Sequence, residues 1–137
     1  MKDMHKNIKT LNVIAPQAVG TTGIAGGKLS AVIDRRGFEA VEFTMNAGGS
    51  ATVADTVVPV VYEADATGGS FTSVADADLI GDETALTLAT AAGQAKSIGY
   101  RGNKRYLKLR LYGVGTATAV VAATAHLGHP HNAPIAT

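Results

Sequence analysis

Four groups of side chains in this sequence have types and spacings that chemistry could use. The densest is His126-Leu127-Gly128-His129-Pro130-His131. Three imidazoles this close can hold zinc, copper or nickel where their nitrogens converge. In an extended segment His129 and His131 share a side and His126 opposes them, with Pro130 stiffening the spacing. The plainer reading of His126, His129 and His131 is a surface or interface tail, and no metal or other cofactor is assigned. Two carboxylate pairs, Glu63 with Asp65 and Asp76 with Asp78, share a face at a spacing of two. Such pairs can serve acid–base work or bind Ca²⁺. No EF-hand spacing accompanies them, and solvated turn acids account for them as well.

The fourth group is a row. Leu107, Leu109 and Leu111 alternate with Lys104, Tyr106, Lys108, Arg110 and Tyr112. Alternation at a period of two makes this a strand with one apolar and one polar face. Interleaved cations and rings resemble a nucleic-acid stacking platform. Any exposed strand face looks similar, because Lys and Arg stems cover sheets well. The formal net charge is only +1. A dedicated nucleic-acid binder carries a larger basic excess, so the row reads instead as a contact for a protein with an acidic surface. Neither a Gly-x-Ser-x-Gly elbow nor a His-Glu-x-x-His helix is present, and no enzyme is indicated. Gly20 to Gly27 lacks the Lys-Ser/Thr ending of a phosphate loop and reads as a connector.

The elements that must position these groups are short and β-like. Candidate strands are Leu29 to Ile33, Phe38 to Met45, Thr56 to Ala64, Phe71 to Val74, Ala95 to Tyr100, the leucine row, and Thr116 to His126. The first two, joined by Asp34-Arg35-Arg36-Gly37, resemble a hairpin. Pro59 inside its strand marks an edge or a bulge, since it has no N–H to donate. Asp76 to Gly81 suits one helical turn closed by glycine. Thr84 to Ala92 suits strand or irregular structure. Gly102-Asn103 supplies the turn before the leucine row, as both tolerate positive φ. The last strand is almost free of charge and is expected to be covered on both faces.

This pattern gives an all-β domain, a β-sandwich or jelly roll. The expected division is an N-terminal arm over residues 1–15, a sandwich over 16–127 and an extended tail over 128–137. The arm is basic, and Lys6 and Lys9 would be its contacts if it docks on a neighbour. A chain of 137 residues suffices for one domain without metal or disulfide, and it has no Cys. Aromatics are 5% and Trp is absent, so the Ala/Val-rich core offers little area per residue. Burial against another subunit is the expected supplement. No apolar run is long enough for a membrane span, and no signal-peptide core is present.

The residues also carry a resemblance. Asn7 through Pro16, Phe38-Glu39-Ala40-Val41, Tyr62-Glu63-Ala64-Asp65, Gly69 through Gly81, Gly99 through Tyr106, and the ending Gly128-His129-Pro130 with Ala133-Pro134 occur in this order. Together they resemble the small structural proteins of tailed bacteriophages and prophages that accompany the major capsid protein. The resemblance implies a capsid decoration, or cement, protein: β-rich, homo-oligomeric and often trimeric. Such a protein binds the major capsid protein on the outer surface of the virion after synthesis in the host cytoplasm. A tail or head–tail junction component, or a glycan-binding virion module, is the alternative.

Overall fold

The computed structural model describes residues 3–19, 27–48, 56–87, 94–114 and 119–135. Over these residues the chain is a β-sandwich of two antiparallel sheets. In chain order the strands are β1 (Lys9–Ala18), β2 (Lys28–Leu29), β3 (Ile33–Asp34), β4 (Phe38–Gly48), β5 (Thr56–Ala64) and β6 (Thr72–Ser73). There follow a 3-10 turn (Asp76–Asp78), β7 (Leu79–Ile80), β8 (Leu86–Thr87), β9 (Gln94–Tyr100), β10 (Tyr106–Val114) and β11 (Val120–Pro130). One sheet has the order β1-β11-β4-β9-β7. The other has β2-β10-β5-β6, with β3 also on β10 and β8 also on β5.

The pairings are nested. The first strand pairs with the last, β2 and β3 with β10, β4 with β9, and β5 with its neighbours β6 and β8. This is a long hairpin rolled on itself, the strand order of a jelly roll. It follows that β3 and β4 lie in different sheets and are not the hairpin expected from the sequence. Gly37, at φ 87, turns the chain from one sheet to the other.

The core forms where alternation turns one side of each long strand inward. Leu107, Leu109 and Leu111 of β10 are fully buried or nearly so, as are Phe43 and Met45 of β4 and Ala123 and Ala125 of β11. The leucines of one sheet, and the bulky β4 and small β11 residues of the other, form one interdigitated core. On the outer side of β11, Ala122, Thr124 and His126 stay half-exposed within one chain. That strand is therefore covered on one face only by its own fold.

The strand edges among the described residues are closed by short pieces and side chains. Val61 receives the Val74 N–H at its carbonyl (2.9 Å) and gives its own N–H to Glu83 Oε1 (2.6 Å). Pro59, two residues earlier, faces the same edge between the β8 and β6 pairings, where no ladder bond is required of it. That is the edge position its presence predicted. On β10, Ser30 fills the gap between β2 and β3. Its N–H bonds the Leu109 carbonyl (2.8 Å), its hydroxyl accepts the Leu109 N–H (2.9 Å), and the same hydroxyl donates to the Ala31 carbonyl (2.8 Å). At the sandwich rim β1 is bulged twice and contains Pro16, which blunts it against further strand pairing.

Three further expectations change. The boundary expected after residue 15 falls inside β1, because Lys9 onward pairs with β11 from Leu127 back. The boundary expected after residue 127 falls inside β11, which runs to Pro130 beside Phe38 of β4. Gly102 has no positive φ. Glycine is required there by packing, since a Cβ would sit 2.5 Å from the Tyr100 hydroxyl. Most of the connector at Gly20 to Gly27, the start of the last expected strand before Ala119, and Leu88 to Ala92 lie outside the described residues. No helix among the described residues is long and apolar enough to cross a membrane.

Ser30 is 5% exposed and is the main-chain partner of a core strand. Ser30→Ala leaves a buried N–H without an acceptor and is expected to lower unfolding free energy by about 1–3 kcal/mol in denaturant titration. Leu109→Ala should lower it by about 2–5 kcal/mol.

Candidate docking surface

The two outer faces of the sandwich differ in chemistry. On the five-stranded sheet, register places Thr10, His126, Glu42, Gly99 and Ile80 in one row across all strands. The next row is Asn12, Thr124, Thr44 and Ser97. These are small, hydroxyl-rich side chains with one carboxylate, and water satisfies them well.

The outer face of the six-stranded sheet is aromatic and cationic. Tyr106, Lys108, Arg110 and Tyr112 of β10 point outward together, each half-buried. Register sets Tyr62 beside Lys108, Val60 beside Arg110 and Val58 beside Tyr112. Leu29, 43% exposed, flanks Arg110 from β2. The cations lie over rings: Lys108 Nζ is 4.3 Å from the Phe71 centroid, Arg105 4.9 Å from Tyr106 and Arg110 5.9 Å from Tyr62. Such contacts hold long side chains in place while leaving their charge to act outward.

Two ion pairs stand at the rim. Arg105 forms a fork with Asp34, at 2.8 and 2.7 Å. Lys104 Nζ meets Asp65 Oδ2 at 2.5 Å. These pairs neutralise one another at the rim, while Lys108 and Arg110 are the cationic side chains of the centre. The entry of β10 is fixed from behind. Tyr100 donates its hydroxyl to Glu63 Oε2 (2.6 Å) and accepts the Lys104 N–H (2.9 Å). Arg35 bonds the carbonyls of Lys104 (2.6 Å) and Gly102 (3.1 Å) and stacks over the Tyr100 ring at 5.6 Å. Burial, and then the Glu63 carboxylate, push the Tyr100 phenol well above its usual range, so this clamp stays a neutral donor.

Of the residues picked from sequence, Tyr106, Lys108, Arg110 and Tyr112 share one face, with Lys104 at its rim. Lys6 and Lys9 do not join them. Lys9 lies in β1 of the other sheet, and Lys6 lies in the turn before it, where its carbonyl accepts the Ile135 N–H at 3.0 Å. Tyr62 and Phe71 complete the face and were missed; the alternation of Val58, Val60 and Tyr62 around Pro59 was the available signal. The histidines are spread. His126 Nδ1 is 3.2 Å from Thr10 Oγ1 and its Nε2 3.4 Å from Thr124 Oγ1. His131 Nε2 is 3.6 Å from Glu39 Oε1, and His129, at φ 51, lies exposed between them in sequence. Among the described residues no three His, Asp or Glu side chains are grouped to hold a metal ion. Glu63 is tied to Tyr100 and Asp65 to Lys104, so the first carboxylate pair is split between partners.

No protein-family model and no curated protein matches the chain. Among solved structures, one with a similar fold is that of the CBM22-1–GH10 modules of the Clostridium thermocellum endo-1,4-β-D-xylanase 10B complexed with xylohexaose. Identity is 15% over 96% of this chain and 28% of that one, with a TM-score of 0.43. A likeness this loose says nothing of what this chain binds.

The Arg105 hydrogen bonds hold Asp34 at about 2, below its ordinary 3.8. A depressed carboxylate stabilises the fold above the unfolded value and loses that contribution as pH falls toward the folded one. Stability should therefore drop between pH 4 and 2. In Asp34→Asn that part of the drop should be missing from acid titrations followed by circular dichroism.

Proposed function

We propose that this chain is a capsid decoration protein of the tailed-phage type, a structural component that binds the outer surface of the shell without catalysis. The observation that carries the reading is the outer face of β10 and β5. Its centre combines aromatic rings, aliphatic side chains and the two cations Lys108 and Arg110. Interfaces between proteins are enriched in Tyr, Phe and Arg at the centre, with charged pairs at the rim. The partner that fits is the major capsid protein, presenting an acidic patch with some apolar area. The bulges and Pro16 of the edge strand β1, and the two-residue length of β2, β6 and β7, support docking by a face, because they disfavour addition of a partner strand. The order of motifs along the chain, which resembles the decoration proteins, supports the same reading.

Repeated docking across a shell makes modest contacts sufficient, since every copy adds to the resistance of the lattice. The aromatic face also raises the glycan alternative. Lys108, Arg105 and Arg110 lie over the ring faces on which a sugar would stack, which disfavours it. A glycan array is expected to stay blank.

The test is reconstitution. Purified protein mixed with shells that lack it should bind in stoichiometric copy number and raise their resistance to heat or low salt. Lys108→Glu with Arg110→Glu should weaken binding by roughly tenfold or more while the isolated protein keeps its fold. Added salt should weaken the wild type in the same direction. No binding of the wild type to shells overturns the reading. Binding of only a handful of copies at one vertex would move the protein to the head–tail junction.

A further inference from the structure

The hydrated face of the five-stranded sheet contains one concavity of a different character. Near the chain ends the sheet surface sinks to a floor of Ala40, Gly99 and Gly128, with a volume of about 590 Å³. Gly99 has to be small, because a Cβ there would lie 3.1 Å from the Ile80 Cβ. Ile80, 59% exposed, forms one wall, and Ile8, Pro130 and Ala133 form the other. Glu42 is the only carboxylate in the lining, beside His126 in the same cross-strand row. An apolar side chain with a cation close behind it would match this lining.

The chain displays that combination at the rim of the groove. Met4 is 69% exposed, the largest exposure of a bulky apolar residue among the described ones, and Lys6 is also exposed. Both sit in a turn that is already ordered. Lys6 donates its N–H to Asp3 Oδ1 (3.2 Å), the Asn7 amide donates to the Asp3 carbonyl (2.8 Å), and the Asn7 N–H bonds the Met4 carbonyl (3.0 Å). A turn fixed in advance loses little entropy when it docks. The same turn leads directly into Asn7 and Ile8, which wall the groove. Each molecule thus carries socket and plug next to one another along the chain.

We infer that the groove receives the Met4–Lys6 turn of a second copy of this chain, with Met4 over the Ala40–Gly99–Gly128 floor and Lys6 against Glu42. Socket and plug on adjacent surface allow a reciprocal, twofold pair in which each copy fills the other's groove, an isologous contact. The pairing uses the sheet opposite to the aromatic face, so it does not depend on shell binding.

Sedimentation equilibrium of the full chain over a concentration series tests it. The expected mass approaches twice the 13.9 kDa of one chain as concentration rises. Met4→Asp and Glu42→Lys should each weaken association by roughly tenfold or more, since one removes the apolar anchor and the other sets like charges together. Combining Glu42→Lys with Lys6→Glu should restore it, which a merely structural role of either residue would not do. Thr67→Lys, in the exposed turn after β5, should leave it unchanged, and circular dichroism should show every variant folded. A mass that stays at one chain, a mass that settles at three chains, or an association indifferent to the Glu42 and Met4 changes overturns the inference.

Discussion

Four nested antiparallel pairings hold this chain as one rolled hairpin, and every other feature depends on them. Residues far apart in sequence are neighbours in space: Lys9 lies against Leu127, and Tyr106 lies against both Asp34 and Ala64. From β4 onward the long strands β4, β5, β9, β10 and β11 alternate between the two sheets. The inward leucines of β10 share one core with the inward residues of β4, β9 and β11. No single pairing can slip by one residue without turning its apolar row outward. The leucines of β10 and the alanines of β11 thus fix register together.

The same winding leaves short strands at the margins, and the sequence closes them by several devices. Ser30 lends a hydroxyl where β2 and β3 fail to meet. Glu83 supplies a carboxylate to the N–H of Val61, and burial raises its pKa above the usual range. Pro59 stands where a donor is not needed. The two broad faces of the sandwich have unlike chemistries. One is hydroxylated and nearly uncharged apart from a groove. The other carries rings with cations laid across them. Arg35 and Tyr100, from two different strands and loops, set the start of that second surface.

What the sequence revealed followed the range of each signal. The leucine row was readable because alternation over nine residues depends on little besides the strand itself. Pro59 was readable because a missing N–H restricts position in any sheet. The putting together of strands was not readable. Leu29 to Ile33 and Phe38 to Met45 have hairpin spacing, yet Gly37 sends them to different layers, a choice made by partners as distant as Pro130 beside Phe38. Lys9 to Ala15 looked like an arm because its polar residues face water on an edge strand, while only Ile14 is fully buried. Gly102 suggested a left-handed turn, but its reason is the Tyr100 hydroxyl, which no local pattern encodes. Phe71 entered the aromatic face beside the two-residue strand β6, too short to show any period.

The place of β11 has a consequence for biosynthesis. It is an inner member of its layer, between β1 and β4, yet the ribosome delivers it after the ten other strands of the described residues. Until then β1 and β4 have no strand between them, and their apolar inner rows face an unfinished layer. A nascent chain in this state must wait, exposed to aggregation or to holding chaperones, for its keystone to emerge. Synonymous codons that slow translation shortly before Val120 would lengthen that interval without changing a single residue.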